Sequence, residues 1–402
     1  MTINENQPKN TSSSDKNRDK KDEPYTGFEL GPIRPPSEAS SLLIRVTRNC
    51  PWNHCRFCGI YRGKKFSLRP VSHVLKDIDM ISKYTAQIKD AISEQEKNPL
   101  KRINISTNSF DDREQTAFYL ALNWVRNGMR SIFLQDSNSL IIKPDDLERI
   151  LLYIREKFPE VERITSYARS HTIARIKDHD LERIANAGLN RIHIGLESAS
   201  DKVLELMRKG VDKAGHIRAG QKVKRAGIEL SEYYMPGLGG KELSREHALE
   251  SADALNQINP DFIRLRTLAI TPAGDLFNDW NSGIFKKLGD KETAEETLLF
   301  LENLEGITST VKSDHILNLF EDLEGRLPQD KEKMTLIIRR FLDMPADEQI
   351  IYQIGRRSGL FSGLNDMNDS GRRAIAERHR RDFNVTPENV DMVIDQIMRR
   401  FV

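Results

Sequence analysis

Ala187-Gly188-Leu189-Asn190-Arg191-Ile192-His193-Ile194-Gly195-Leu196-Glu197 passes from one kind of structure to another within a few residues. A helical stretch stops at Gly188, which takes the left-handed conformation without a Cβ clash, and a β-rich run follows. Asn127-Gly128-Met129-Arg130-Ser131-Ile132-Phe133-Leu134 and Ala226-Gly227-Ile228-Glu229-Leu230 repeat the device. Recurrence of helix, glycine and strand is the signature of βα units and a parallel sheet. Strands are expected near 42–47, 131–135, 162–167, 191–196, 228–235 and 261–268. The stretch 68–128 holds two helical patterns, Pro70 to Lys97 and Arg113 to Asn127, and reads as an elaborated first crossover. Beyond about residue 305 only helices are expected. In such a sheet, chemistry belongs at the carboxyl ends of the strands, whose loops surround the mouth.

The loop after the first strand, Cys50-Pro51-Trp52-Asn53-His54-Cys55-Arg56-Phe57-Cys58, holds all three cysteines of a 402-residue chain. Clustered thiolates suit soft metal centres. Structural zinc normally takes four protein ligands and a ferredoxin-type cluster four cysteines, so three leave one corner open. His54 or His73 would close a Cys3His site in a zinc-stabilised RNA- or partner-binding protein. A [4Fe–4S] cluster with one open iron is the favoured reading, because that iron can bind a substrate or cofactor.

With Leu42-Leu43-Ile44-Arg45-Val46-Thr47 before it and Phe57 just before its last cysteine, the motif resembles that of the radical S-adenosylmethionine (radical SAM) superfamily. Its spacing is C-x4-C-x2-C, one residue longer than the family's commonest C-x3-C-x2-C. A second stretch, Arg191 to Asp201 running on through Val203 to Gly210, is similar to the H-I-G-L-E-S-G-S-D segment of elongator-like, methylthiotransferase-like and coproporphyrinogen-dehydrogenase-like members. The resemblance covers roughly residues 31–300. It implies an α/β fold, a (β/α)6 partial TIM barrel with a helical C-terminal extension. The expected division is a disordered tail at 1–30, the core at 31–304 and the extension at 305–402, which caps the barrel.

The resemblance also implies a site. Cys50, Cys55 and Cys58 would hold a [4Fe–4S] cluster whose fourth iron binds S-adenosylmethionine. Asp136 and Asn138 stand where the family has a short motif for the methionine amino group; a plain Asp/Asn/Ser turn is the alternative. Glu197, with Ser198 beside it, would accept the ribose hydroxyls, and Lys209 would pair with the cofactor carboxylate. Glu197 paired with a lumen arginine, and Lys209 as a solvated helix-end cation, are the structural alternatives. Tyr167 and Glu232 supply rim groups, Phe57 flanks the cluster, and Gly237 to Gly240 resemble the turn that approaches adenine. His193 reads as a satisfied interior histidine. Arg264 and Arg266 share one face of the last strand; pairing with Glu197 or Glu229 is favoured over holding, with Arg45, an anionic substrate.

Composition sets the remaining limits. The formal net charge is +2, from 62 basic and 60 acidic residues, and aromatics make up 7%. No whole-chain field recommends a polyanion, so nucleic acid is not expected as a partner. Arg356-Arg357 and Arg372-Arg373 read as solvated charges. No apolar run approaches the roughly 20 residues needed to span a bilayer, and the start lacks a secretory signal's apolar core. A cytoplasmic protein is expected, where thiols stay reduced. Three cysteines leave none for a second cluster, and Ile60 stands where coproporphyrinogen-dehydrogenase-like enzymes carry a further cysteine. A metal-free phosphate-binding barrel would have Gly237 to Gly240 as its phosphate loop. The expected partners are a small-molecule or otherwise unidentified substrate and an electron donor such as flavodoxin or ferredoxin.

Overall fold

In the computed structural model, residues 23–97 and 107–399 are described, and residues 1–22 of the expected tail lie outside them. Gly128, Gly188 and Gly227 all have positive φ, at 81°, 113° and 74°, and each ends a helix as its sequence requires. The strands are β1 (Leu42–Arg45), β2 (Thr47–Arg48), β3 (Ser67–Leu68), β4 (Ser131–Gln135), β5 (Arg163–Ala168), β6 (Arg191–Glu197), β7 (Glu229–Tyr234), β8 (Phe262–Leu265), β9 (Thr310–Lys312) and β10 (Gly325–Arg326). Eight form one sheet in the order β1-β4-β5-β6-β7-β8-β9-β10, while β2 and β3 make a separate antiparallel pair. Every pairing from β1 to β9 is parallel, and only β10 runs antiparallel. Spatial order follows chain order, so each crossover steps the same way and the result is the expected partial barrel.

The last two strands, β9 and β10, correct the expectation that no strand follows residue 305. Thr310-Val311-Lys312 is too short to show a period of two; it becomes a strand because β8 offers it a free edge, Phe262 opposite Thr310 and Arg264 opposite Lys312. The sheet therefore runs past residue 304. Arg356 and Arg357 are also not solvated. Both are buried, Arg356 donating to the Asn318 carbonyl and Arg357 to the Leu317 carbonyl and Asp290. Arg372 and Arg373 do lie outside, paired with Asp366 and Glu348.

Alternation along the strands sorts the side chains. Ile132, Leu134, Ile164, Ile192, Ile194, Leu196, Leu230 and Ile263 join the core beneath the helices. Each such side chain, fully buried, contributes about 1.5–3 kcal/mol before the entropy of ordering is counted. Phe133, Tyr167, His193 and Tyr233 face the lumen and meet there, with Tyr167 5.2 Å from Phe133 and 5.6 Å from His193, and His193 5.9 Å from Tyr233. Below them the 3-10 turn Pro36–Glu38 places Glu38 3.6 Å from His193. Residues 23–30, assigned from sequence to the tail, instead lie against the barrel. The Tyr25 hydroxyl donates to Asp77 at 2.7 Å, Phe28 is buried, and Glu29 pairs with Arg48 at 2.5 Å.

Candidate active site

The cysteine loop leaves the carboxyl end of β1 and is fastened from several sides. Asp136, fully buried just past β4, receives Arg45 Nη2 at 2.8 Å, the Asn49 N–H at 2.9 Å and the Tyr61 hydroxyl. One carboxylate thus grips the chain before and after the thiols. Asn49 and Asn53 take left-handed φ of 66° and 52°, which asparagine tolerates, and their amides donate to the Lys65 and Lys64 carbonyls. The longer first spacer turns back on itself at Asn53. Trp52 Nε1 donates to the Arg208 carbonyl at 2.6 Å, and its ring fills the space a Cβ on Gly210 would occupy. Arg56 and Arg62 pair with Asp279 and Asp275, tying the loop to the segment after β8.

Cys50, Cys55 and Cys58 are free and partly buried. Burial pushes the Cys55 thiol up to about 11; Lys209 and Arg169 pull it down, while Cys50 and Cys58 push it up again. The three thiols and two cations therefore share one electrostatic neighbourhood. Among the described residues, no three His, Cys, Asp or Glu side chains converge tightly enough to hold a single metal ion.

Glu197 and Lys209 come together, so the carboxylate is paired with a lysine and not with the lumen arginine considered from sequence. Lys209 Nζ is 3.4 Å from Glu197 Oε1 and 5.6 Å from the Phe57 ring centroid, and its side chain is only 12% exposed, so it is not a solvated helix-end cation. Glu197 Oε2 is buried and has no hydrogen-bond partner. Its backbone has φ of 62°, and the Ser198 N–H reaches back to the Leu196 carbonyl at 2.7 Å, closing a γ-turn where the β6–β7 register shifts. Such a conformation costs about 1–3 kcal/mol in a residue other than glycine and marks functional sites more often than chance.

Other residues expected at the site are engaged in holding the fold. Asp136 is saturated as described. Asn138 donates to Thr172 Oγ1 at 2.9 Å and accepts from the Arg169 N–H at 3.1 Å. Ser198 is buried against His247 Nδ1 at 2.8 Å. Glu232 alternates with the core residues Leu230 and Tyr234 along β7, yet lies close enough to Lys209 and Glu197 for both charges to act on its carboxyl. Both its oxygens are buried without a partner, and burial raises its pKa well above the carboxylate range. Tyr167 does line the lumen. His193 is interior but not satisfied, since neither ring nitrogen makes a hydrogen bond. Glu229 pairs with Arg191 and Glu197 with Lys209, so neither partners Arg264 or Arg266. The Gly237 N–H donates at 2.7 Å to Glu296, a buried glutamate whose carboxyl is pushed up to about 7 by burial.

Arg169 is the residue that motif reading passed over. It follows β5, stacks over Trp52 with its guanidinium 5.0 Å from the ring centroid, and donates to the Lys209 carbonyl at 2.7 Å. Its place at the carboxyl end of a strand was the available signal.

The sequence model of the radical SAM superfamily matches residues 44–252, more than half of the chain. A tRNA uridine(34) acetyltransferase of Methanocaldococcus infernus is 23% identical over 119 residues, 29% of this chain and 22% of that protein. The Homo sapiens mitochondrial tRNA methylthiotransferase CDK5RAP1 is 21% identical over 257 residues, 59% of this chain and 39% of that protein. Coproporphyrinogen III oxidase (HemN) from Escherichia coli superposes with a TM-score of 0.41 at 14% identity, covering 66% of this chain and 52% of that one. The chain spans well under half the length of these curated relatives. Both are named for work on tRNA, so the expectation that nucleic acid is not a partner finds no support in them. No helix among the described residues is long and apolar enough to cross a membrane.

Proposed function

We propose that this chain, which belongs to the radical SAM superfamily and is therefore an enzyme, binds one [4Fe–4S] cluster through Cys50, Cys55 and Cys58 and uses S-adenosylmethionine to begin hydrogen abstraction from a substrate. The carrying observation is the set of three partly buried thiols on one loop at the carboxyl end of β1, beside Lys209 and Arg169. The donor set fits the group: three thiolates, each on a different iron, need not converge on one point, and the fourth iron stays open. The unpartnered Glu197 oxygen is an acceptor waiting for a hydroxyl.

Held by Cys50, Cys55 and Cys58, the cluster would supply the one-electron reduction that opens S-adenosylmethionine for hydrogen abstraction. The chain's own residues prepare the place. Asp136 fixes the loop; Lys209 and Arg169 offset the negative charge of three thiolates; Phe57 packs against the Lys209 ammonium. Lys209 would hold the methionine carboxylate, and Glu197, through its unpartnered Oε2, the ribose hydroxyls. The rings of Phe133, Tyr167, His193 and Tyr233 close the lumen beneath and exclude water.

A reductant of the flavodoxin or ferredoxin class delivers the electron, in a cytoplasm that keeps thiols reduced. Because two relatives are named for work on tRNA, tRNA is among the substrates to be tried. We assign the last helices, 331–342, 346–357, 370–382 and 390–398, to a cap on the β7–β8 side, where Gly237, Leu268, Asp290, Arg357 and Asp395 line a common cavity. Anaerobic reconstitution with iron and sulfide tests the reading: about four irons per chain are expected, falling sharply when any of the three cysteines becomes alanine. Stoichiometric zinc in their place would favour the zinc-stabilised binding protein.

A further inference from the structure

Of the arginines at or near the carboxyl ends of strands, Arg169 lies over Trp52 and donates to the Lys209 carbonyl, and two others are neutralised. Arg45 is held by Asp136. Arg264 pairs with Asp314 and donates to Ser231 Oγ at 3.2 Å. Arg266, one residue past β8, continues the ladder with its N–H on the Tyr234 carbonyl at 3.0 Å. Its partly buried guanidinium makes no hydrogen bond or ion pair among the described residues. The Tyr167 and Tyr233 rings stand together in the lumen, centroids 6.4 Å apart, and the loop that carries His315 is fastened to the residue after Arg266, Asn318 Oδ1 accepting the Thr267 N–H at 2.9 Å. The Arg266 charge acts on all three rings. The acids of that neighbourhood are taken, Asp314 by Arg264 and Glu197 by Lys209.

His315 adds a second donor. Its Nδ1 accepts the Leu317 N–H at 3.2 Å, so a neutral ring carries its proton on Nε2. Burial pushes this imidazole down to about 4, so it is neutral at physiological pH. The loop that begins at Arg266 also walls the thiols. Thr271 Oγ1 lies 2.6 Å from where a Cβ on Gly59 would be, and the Leu276 N–H donates to the Arg56 carbonyl at 2.9 Å.

We propose that Arg266 and the Nε2–H of His315 form a subsite for an oxyanion group of the substrate, a carboxylate or a phosphate, with the rings of Tyr167 and Tyr233 alongside. A guanidinium offers five donors and no acceptor, and meets a carboxylate or phosphate bidentately. Partly buried and without an acid, it keeps those donors free for a ligand. An incoming anion supplies the missing half. The assignment rests on the preceding reading only in taking the barrel mouth as the substrate site.

Benzoate and phenyl phosphate are suitable probes, since each joins one candidate anion to a ring that the tyrosines can flank. Thermal shift and calorimetry are run on the full chain, with and without reconstituted cluster, against sodium chloride of equal ionic strength. One of the two aromatic anions stabilises the wild type, and the stronger one identifies the group. The half-saturating concentration rises about tenfold or more in Arg266→Gln, less in Arg266→Lys, and also rises in His315→Gln. Circular dichroism reports folding; should Arg266→Gln misfold, the lysine and His315 variants carry the comparison. No response in the wild type, or an equal response in wild type and variants, overturns the proposal. Competition between the probe and S-adenosylmethionine that disappears in the Arg266 variants also overturns it, by giving Arg266 to the cofactor carboxylate. Failure to assemble a cluster would sink the radical mechanism while leaving the anion response to be read by itself.

Discussion

Asp136 accepts from Arg45, from Tyr61 and from the Asn49 backbone while fully buried, so it carries the geometry of the cysteine loop without touching a thiol. Removing one partner of a buried charge pair typically costs about 3–5 kcal/mol. Asp136→Asn is expected to lose that much in chemical denaturation, and to lose iron content in parallel. Glu232 makes the opposite case. Its raised pKa means that the stability it contributes is fully present below the ordinary carboxylate range and is lost as pH rises through its folded value. Glu232→Leu is expected to gain about 1–3 kcal/mol at pH 8 and nothing at pH 4, read as the difference between the two melting curves. A loss of stability at pH 8 would mean that the buried carboxylate has a partner. At this scale the clustering of the three thiols was legible in the sequence, and the family resemblance singled out Glu197 and Lys209, but their pairing with each other was not foreseen because it joins residues on either side of a helix. For Asp136, Asn138 and Ser198 the sequence shows a polar residue at a strand end but not the protein neighbours each one holds, Arg45 and Tyr61, Thr172, and His247.

The loop and the helix that follows β6 are joined through Trp52 and Gly210. Gly210 has φ of 72°, and a Cβ there would sit 2.4 Å from the Trp52 ring. Gly210→Ala adds left-handed strain to overpacking, together on the order of 2–4 kcal/mol. A lower melting temperature with a changed Trp52 fluorescence maximum is the expected outcome; unchanged fluorescence would separate the two elements. The helices ending at Gly128, Gly188 and Gly227 were readable because glycine and the strand after it are local signals. β9 and β10 were not, because strands of three and two residues owe their existence to a neighbouring edge. The packing of Tyr25, Phe28 and Glu29 escaped for a similar reason: their partners Asp77 and Arg48 lie far along the chain.

Across the whole molecule, the parallel sheet places the cysteine loop, the Glu197–Lys209 pair and Arg266 around one mouth, above a floor of aromatic rings sealed by Glu38. A net charge of +2 describes the sum and not its distribution, so by itself it does not decide the partners. Lys64 and Lys65, for instance, are exposed on the hairpin that the asparagines tie to the cysteine loop. The central claim is that this mouth binds a redox cluster open to S-adenosylmethionine. Its most direct test is electron paramagnetic resonance of the anaerobically reconstituted, reduced protein, with and without S-adenosylmethionine, followed by assay for 5′-deoxyadenosine. A [4Fe–4S]+ signal that changes on adding S-adenosylmethionine, with 5′-deoxyadenosine formed on reduction, is the predicted result. A signal indifferent to S-adenosylmethionine with no 5′-deoxyadenosine, or stoichiometric zinc and no signal, would contradict it.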